Sequence, residues 1–330
     1  MPEDGHTGKI LMLNKRGSVW LENDYNILKE SGHSVDLISS NSFLGYLKYW
    51  RKARDYDLFL SWGGGSLHTV LLAKSFNKKS VIVAVGGDAA EVPEIPYGAF
   101  TTWKKHLVRF VFETADIVLA VSENTKREVL QHSKPKNLEV VYNGIDTERF
   151  KPDGKKEEIV LTVSGPLTWS MIKRKGLETF LECASHFPDI PFVLVGKHRD
   201  QSCVKHLQRI SPSNVKITGY IPFEELVDYY RRAKVYVQIS LHEGFGVALA
   251  EAMSCECVPV VTKNAAIPEV AGDVGFYVPY DDPEATTEAI KEALNATSAV
   301  GRRARKRIKD KFSLQTRKEK LLKIINVSMK

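Results

Sequence analysis

The sequence predicts an α/β protein made of two doubly wound parallel-sheet domains. At 330 residues the chain exceeds what a single hydrophobic core usually supports. Short aliphatic runs alternate with longer segments of helical periodicity, which is the pattern of βαβ units. A polar stretch, Lys151–Glu158, separates two such series and contains Pro152 and Gly154, so we expect it to act as the hinge.

The two series each contain six predicted strands. Those of the first series are Ile10–Leu13, Val35–Ile38, Leu58–Ser61, Val81–Val85, Ile117–Val121 and Leu138–Tyr142. Those of the second are Ile159–Val163, Phe192–Val195, Val215–Thr218, Val235–Ile239, Cys257–Val261 and Gly275–Val278. The predicted domains are therefore 1–150 and 151–310, and a basic helix over 311–330 is expected to pack back toward the first. Parallel sheets of this kind bind ligands at the carboxyl ends of their strands, so we expect the site in a cleft between the two domains.

The composition narrows the class of protein. Hydrophobic residues make up 43% and charged residues 26%, which is typical of a globular chain. Cys255 and Cys257 are close in sequence, but their spacing fits neither a zinc ribbon nor a redox pair, and Cys183 and Cys203 are isolated. The chain opens with no signal segment and has no run of 18 apolar residues. The expected location is the cytoplasm.

The net charge of +7 is concentrated near the C-terminus. Residues 301–330 carry 12 Lys/Arg against 2 Asp/Glu, whereas the other 300 residues carry 35 against 38. A basic tail on a slightly acidic body does not indicate a nucleic-acid partner. Two interpretations stay open: a solvated helix face, or peripheral attraction to an anionic membrane at its inner face.

The most informative segment is Ser240–Ser254, which follows a predicted strand and then becomes helical. Gly244 and Gly246 permit a tight turn, and a helix starting near Val247 directs unpaired N–H groups at the strand ends, which makes a phosphate site. If the phosphate belongs to a nucleotide, Glu251, one turn into this helix, is expected to reach the hydroxyls of its ribose. Glu243, on the loop, is expected to lie nearer the group attached to the phosphate farther from the ribose. The alternative is that acidic residues simply favour helix N-termini.

Several motifs together resemble the retaining glycosyltransferase family 4, also called glycosyl transferases group 1. The Glu243-to-Glu251 spacing is similar to the family's E-x7-E motif. Further resemblance lies in Asn143–Pro152, Lys175–Phe180, Asn214–Tyr220 with Glu224–Leu226, and Pro268–Val270 followed by Gly275. The resemblance implies a GT-B fold, that is, two Rossmann-like domains facing across a cleft. It also implies transfer of a hexose from a UDP- or GDP-sugar to a glycan or lipid-linked acceptor, with retention and with neither metal nor cofactor.

The resemblance also assigns roles in the donor site. Lys175 would neutralise the diphosphate, Glu251 would bind the ribose, and Glu243 would hold the transferred sugar. The backbone of Phe245, Gly246, Val247 and Ala248 would cradle the phosphates. Phe245 either lines the donor site or staples the turn, and Tyr220 either contacts the nucleotide base or packs.

The chain departs from the family at two positions and matches it weakly at a third. The family's Gly-Arg pair is absent after the strand that ends at Val163, so Arg174 or Lys173 is expected to supply the second positive charge. Asp88 stands where many members have a histidine, which makes it a candidate for the sugar or acceptor side. The alternative is a turn-forming aspartate. Gly17 lies where the family places a glycine loop under the donor phosphates.

Two other functions are compatible with parts of the sequence. An NAD-dependent oxidoreductase shares the fold elements, but no G-x-G-x-x-G joins the first strand to its helix. A nucleotide-binding GT-B partner without transferase activity is the second rival. The single Asp-x-Asp, Asp55–Asp57, is interpreted as a turn and not as a metal site.

Acceptor specificity is expected on loops of the first domain. They include Asp88–Phe100 and two aromatic and basic segments, Tyr46–Arg54 and Trp103–Phe112. These two segments either dock at a membrane that carries a lipid-linked acceptor or pack their aromatics inward while their lysines reach solvent.

Overall fold

The computed structural model describes residues 7–14, 19–39 and 50–329. They belong to two compact units, Met1–Gly144 with Leu314–Lys330, and Ile145–Ser313. The second unit begins ahead of the boundary expected at 150/151, because the Ile145 N–H donates to Phe312 O at 2.7 Å and Phe150 packs edge-on against Tyr230. The chain returns to the first unit at Leu314. The sequence predicts this boundary slightly earlier, at 310/311.

In the first unit, strands and helices alternate along the chain. The strands are β1 (Lys9–Asn14), β2 (Ser34–Ser39), β3 (Leu58–Trp62), β4 (Lys79–Ala84), β5 (Ile117–Ala120) and β6 (Leu138–Val140). The helices are α1 (Val19–Glu30), α2 (Trp50–Ala53), α3 (Leu67–Ser75), α4 (Gly86–Ala89), α5 (Lys105–Thr114) and α6 (Glu123–His132), with a 3-10 turn at Ala99–Thr101. Helix α15 (Leu314–Ser328), from the end of the chain, completes the unit.

The strands of the first unit form a parallel sheet in the order β2-β1-β3-β4-β5-β6. Every residue of β3 and β5 is buried, as expected for parallel strands covered on both faces. This explains why these strands appear in the sequence as continuous apolar runs.

A buried ion pair ties α15 to the rest of the first unit. The Arg317 guanidinium donates to both carboxylate oxygens of Asp24 on α1, at 2.7 and 2.8 Å, and to the carbonyls of Val141 and Tyr142. The Trp62 indole N–H donates to the same Asp24 carboxylate at 2.9 Å. Both charged side chains are almost completely buried, so this network fixes the last helix against the start of the chain.

The second unit repeats the alternation. Its strands are β7 (Glu157–Val163), β8 (Phe192–Val195), β9 (Val215–Ile217), β10 (Ala233–Gln238), β11 (Val258–Thr262) and β12 (Phe276–Val278). Its helices are α7 (Trp169–Lys175), α8 (Leu177–Ala184), α9 (Gln201–Ile210), α10 (Phe223–Arg232), α11 (Val247–Ser254), α12 (Ile267–Ala271), α13 (Pro283–Asn295) and α14 (Ser298–Phe312), with a 3-10 turn at Gly272–Val274.

The second sheet is also parallel, in the order β12-β11-β10-β7-β8-β9. Residues of β10 alternate in character. Val235 and Val237 belong to the hydrophobic core, whereas Tyr236 and Gln238, which alternate with them along the strand, are buried and carry polar groups. The polar residues of β10 therefore share one face of the sheet and lead toward the loop that follows the strand.

All twelve predicted strands are present, with ends that differ by a few residues. The four cysteines are buried free thiols, and burial raises the pKa of the Cys255 thiol to about 12. Across the described residues, no helix combines the length and the apolar character needed to cross a membrane.

Candidate donor-binding site

The second sheet has its topological switch point between β7 and β10. These strands are parallel neighbours, with Val160 beside Val235 and Leu161 beside Tyr236. The chain leaves β7 toward β8 on one side of the sheet and leaves β10 toward β11 on the other. Ligands of doubly wound sheets bind outside the carboxyl ends of the strands at such a point, and the loops after β7 and β10 lie there.

The loop after β7 holds a short helix in a fixed place beside the loop after β10. The Thr168 hydroxyl caps α7 by accepting the Met171 N–H at 3.3 Å, and the helix ends at Gly176 in the left-handed conformation, with φ +63°. A Cβ at Gly176 would lie 2.7 Å from Ile239 O. The Leu241 N–H donates to Arg174 O at 2.8 Å. Only glycine permits this close approach, which sets Lys175 directly against the second loop.

Lys175 and Glu243, predicted separately from two motifs, form an ion pair. The Lys175 Nζ lies 2.6 Å from Glu243 Oε1, and the exposed fractions of the two side chains are 11% and 12%. The Ser240 hydroxyl donates to the same Oε1 at 3.0 Å. Burial raises the pKa of Glu243, but the charges of Lys175 and Arg174 and these hydrogen bonds outweigh burial and lower the pKa overall. Glu243 is therefore an ionised carboxylate.

Arg174 also fits the second positive charge that the sequence required. Its charge lowers the pKa of Glu243. The Lys173 side chain is exposed, and its backbone carbonyl accepts the Tyr280 hydroxyl at 2.6 Å and the Gly176 N–H at 3.1 Å. Which of the two residues supplies a second positive charge to a ligand stays a prediction.

Glu251 stands in a different environment from Glu243. It is buried on α11 and accepts a hydrogen bond from the fully buried Tyr230 hydroxyl, 3.0 Å from Oε2. Burial raises the pKa of Glu251 to about 7, although the Tyr230 hydrogen bond lowers it. The two carboxylates of the motif thus differ in charge near neutral pH: Glu243 is ionised and Glu251 is at its titration point.

The helix that carries Glu251 begins without a side-chain cap. Gly246 precedes the helix with φ +94°, and the first intrahelical hydrogen bond runs from the Ala250 N–H to Gly246 O. The N–H groups of Val247, Ala248 and Leu249 therefore have no acceptor within the helix. Such a helix start favours an anion.

Two buried polar groups at the ends of the same strands lack hydrogen-bond partners among the described residues. They are the hydroxyl of Ser164, directly after β7, and the side-chain amide nitrogen of Gln238, the last residue of β10. The Tyr236 hydroxyl donates to the other end of this amide, Gln238 Oε1, at 3.2 Å. The amide nitrogen lies 3.1 Å from where a Cβ of Gly246 would stand. Buried donors normally have partners, so their position indicates a polar ligand.

Ser164, Tyr230, Gln238 and Ser240 had no predicted role. Ser240 is the first residue of the Ser240–Ser254 segment, three positions before Glu243, and this proximity is a sequence signal for it. Tyr230 is separated from Glu251 by 21 positions and comes from another helix, so no local pattern indicated the contact.

Phe245 and Tyr220 have different surroundings. Phe245 is 3% exposed and packs edge-on against Phe312 of α14, with ring centroids 5.4 Å apart, which supports the turn-stapling alternative. Tyr220 is 75% exposed and follows β9 at the sheet edge, with the Lys197 Nζ 6.0 Å from its ring. Its role toward a nucleotide base stays a prediction.

Asp88 lies in the first unit and has local partners. Its carboxylate accepts the Val85 N–H at 3.0 Å and a further hydrogen bond from the Gly64 backbone, and burial raises its pKa to about 6. A Cβ at Gly64 would lie 2.7 Å from Val108, so this glycine is required by packing. These contacts are those of a turn-forming aspartate, and the catalytic role of Asp88 stays a prediction. Gly17 lies outside the described residues.

No cluster of three or more His, Cys, Asp or Glu suited to a metal ion is present within residues 7–14, 19–39 and 50–329.

Family models match both units of the chain. The model described as "Glycosyltransferase Family 4" matches residues 19–149, and the model described as "Glycosyl transferases group 1" matches residues 158–296. The two parallel six-stranded sheets also match solved GT-B structures, which confirms the predicted fold class. The chain belongs to glycosyltransferase family 4.

Individual relatives are more distant. The alpha-maltose-1-phosphate synthase of Mycolicibacterium smegmatis is 29% identical over 222 residues, which are 60% of this chain and 57% of the relative. The GPI3 subunit of phosphatidylinositol N-acetylglucosaminyltransferase from Saccharomyces cerevisiae is 28% identical over 213 residues, 58% of this chain and 46% of the relative. The chain thus spans about half the length of these curated relatives. Among solved structures, HepE of Anabaena in complex with UDP has a TM-score of 0.79 at 18% identity, covering 97% of this chain and all of that one.

Proposed function

We propose that the chain transfers a hexose from a UDP- or GDP-sugar to a glycan or lipid-linked acceptor, with retention of configuration. The observation that carries this proposal is the Lys175–Glu243 ion pair at the switch point of the second sheet. Lys175 is the last residue of α7, and Glu243 lies on the loop that leads into the uncapped start of α11. A cation, an ionised carboxylate and unpaired N–H groups together suit a sugar joined to a diphosphate.

In the proposed mechanism, the diphosphate leaves as negative charge develops on it. Lys175, Arg174 and the N–H groups of Val247 and Ala248 stabilise that charge. The diphosphate competes with Glu243 for the Lys175 ammonium, and Glu243 becomes available to accept hydroxyl hydrogen bonds from the sugar. Glu251 accepts the ribose hydroxyls. The acceptor hydroxyl attacks the face from which the phosphate departs, and the departing phosphate takes its proton, so no separate base and no metal are required.

Donor binding is tested by calorimetry with UDP, GDP, ADP and NAD against the native chain, Glu251→Ala and a matched control, Glu225→Ala. Glu225 is exposed on α10, so its loss should not change nucleotide affinity. Selective binding of UDP or GDP that weakens only in Glu251→Ala supports the proposal. Binding of NAD alone would replace it with the oxidoreductase.

Two further measurements separate transfer from binding. Nucleotide binding without release of the nucleoside diphosphate from any donor and acceptor pair would favour a non-catalytic binding partner. Retention is tested by the anomeric configuration of the product by NMR, and metal independence by full activity in EDTA. HepE, described in complex with UDP, supports UDP as the first donor base to try.

The acceptor part of the proposal includes a peripheral membrane contact by a chain otherwise located in the cytoplasm. A relative named for phosphatidylinositol supports a lipid-linked acceptor. Such an acceptor requires the chain to reach the surface of a bilayer.

A further inference from the structure

Helix α5 of the first unit and the segment just before it expose two large aromatic side chains. Trp103, two positions before the helix, is 76% exposed, and Phe110, within it, is 48% exposed. One short segment of the chain therefore carries both exposed rings. Exposed aromatic residues grouped in this way indicate an interaction surface.

The other face of α5 is buried. Val108, Val111 and Phe112 are nearly or fully buried and belong to the core of the first unit. Because this face is packed, the helix cannot turn Phe110 inward, and Trp103 ahead of it is largely exposed. Of the two alternatives that the sequence left open for Trp103–Phe112, inward packing applies to Phe112 and not to these two.

Basic residues are the chain neighbours of both aromatic side chains. Lys104 and Lys105 follow Trp103, Arg109 precedes Phe110, and all three are exposed. We call Trp103, Lys104, Lys105, Arg109 and Phe110 the aromatic-basic face.

Two hydrogen bonds join this face to the end of α6. The Arg109 Nε donates to His132 O at 2.7 Å, and the Lys134 N–H donates to Glu113 Oε1 at 3.2 Å. They hold the end of α6 and the exposed residue Lys134 at the same edge as α5. The last turns of α6 also carry Leu130, which is 54% exposed. The edge beyond α5 therefore carries Lys134 and Leu130, together with the carboxylate of Glu113.

We propose that the aromatic-basic face docks onto an anionic lipid bilayer. Tryptophan and phenylalanine insert at the boundary between headgroups and acyl chains, and lysine and arginine are attracted to anionic headgroups. Lysine is depleted at the centre of protein–protein interfaces, so a Trp-Lys-Lys sequence suits lipid better than a protein partner. The inference deepens the lipid-linked acceptor of the proposed function and rests on it for its purpose.

The test is vesicle flotation of the full chain with phosphatidylcholine alone and with a mixture of phosphatidylcholine and phosphatidylglycerol. We expect binding to the anionic vesicles only. Trp103→Ser/Phe110→Ser and Lys104→Gln/Lys105→Gln should each weaken binding by about tenfold or more, since each removes one of the two attractions. Phospholipids brominated on their acyl chains should quench part of the native fluorescence, and Trp103→Phe should abolish that quenching.

Matched controls carry equivalent changes elsewhere. Val327→Ser removes an apolar side chain of α15 that is 67% exposed, and Lys155→Gln/Lys205→Gln removes two exposed lysines of the second unit. Both should bind the anionic vesicles like the native chain. No flotation of the native chain, or an equal loss in variants and controls, overturns the inference.

UDP affinity in the absence of vesicles separates this inference from the proposed function. All the variants should bind UDP like the native chain, since none changes the donor site. UDP binding without flotation contradicts the docking inference and leaves the transferase proposal intact. Flotation that depends on this face, without binding of any nucleoside diphosphate, contradicts the transferase proposal and leaves the docking inference intact.

Discussion

Each unit of the chain contains a largely buried pair of a cation and a carboxylate, and the two pairs are satisfied to different degrees. In the first unit, three nitrogens of Arg317 donate to Asp24 and to two carbonyls, and Trp62 adds a further donor to Asp24. In the second unit, Lys175 and Ser240 both contact the same oxygen of Glu243. Lys175 has three N–H donors, and across the described residues Glu243 is the partner found for them.

The exposure and hydrogen bonding of each pair indicate what it is suited to do. Asp24–Arg317 has 0% and 2% exposure and nearly complete hydrogen bonding, so a ligand can add little to it, and its role is to hold elements together. Lys175–Glu243 keeps some exposure at a switch point, and within the described part of the chain the Lys175 ammonium has donors to spare, so a ligand can add contacts without disrupting the fold.

Asp24→Asn should produce the largest loss of stability. It leaves the buried Arg317 charge without its carboxylate, which typically costs about 3–5 kcal/mol of the free energy of unfolding. Chemical denaturation measures the loss. The double variant Asp24→Leu/Arg317→Met, which removes both charges, should recover much of it. A single variant as stable as the native chain would contradict the structural role of this pair.

Lys175→Met should mainly affect transfer. Removing one preorganised charge that stabilises the leaving diphosphate is expected to lower kcat by about 10²–10³-fold. The loss of stability should be smaller than in Asp24→Asn, because Arg174 and Ser240 still support Glu243. The matched control is Lys173→Met, two positions earlier with an exposed side chain, which should retain activity. Equal effects of the two variants would remove the special role of Lys175.

Glu251→Gln should weaken UDP binding by about tenfold or more, since hydrogen bonds to a charged carboxylate contribute roughly 1.5–3 kcal/mol. Calorimetry across pH provides the sharper test. The carboxylate must be ionised to accept both ribose hydroxyls, so native affinity should rise with pH up to about 7, the pKa of Glu251, and the variant should lose this rise.

The same residue gives stability the opposite pH dependence. Its folded-state pKa lies above the ordinary 4.5, so between pH 4.5 and about 7 the folded chain keeps a proton that the unfolded chain has released. Its contribution to the free energy of unfolding is therefore complete below pH 4.5 and is lost as pH rises through about 7. Denaturation of native and Glu251→Gln chains at several pH values measures this difference.

Tyr230→Phe should have the smallest effect, a stability loss of about 1 kcal/mol from one hydrogen bond. The Tyr230 hydroxyl lowers the pKa of Glu251, so its loss should move the midpoint of the UDP pH profile upward. The control is Tyr229→Phe on the same helix, whose hydroxyl contacts Lys216 at 2.8 Å. A profile that moves in both variants, or in neither, would show that Tyr230 does not position Glu251.

The fold was predictable because its main signal is local. Parallel strands buried on both faces appear as apolar runs, and twelve of them in two series define two sheets. Lys175 and Glu243 were predictable as a site through their motifs, although the 2.6 Å contact between them was not. It depends on Gly176 approaching Ile239, which is a tertiary feature.

Other features had no sequence signal. Asp24 and Arg317 are separated by 293 positions, and each looks like an ordinary surface charge on an amphipathic helix. Gln238 lies within an apolar strand, where its polar end gives no indication of the neighbouring Gly246. The packing of Phe245 on Phe312 has no local sequence signal, because Phe312 lies on a helix far along the chain.

The place of Arg317 has a consequence for synthesis. The first sheet leaves the ribosome before the second unit exists, yet Asp24 obtains its counter-ion only when residue 317 has emerged. The second unit, by contrast, is continuous from Ile145 to Ser313. The half of the chain that is made first is therefore completed last, and until then it carries an unmatched carboxylate where its core should close.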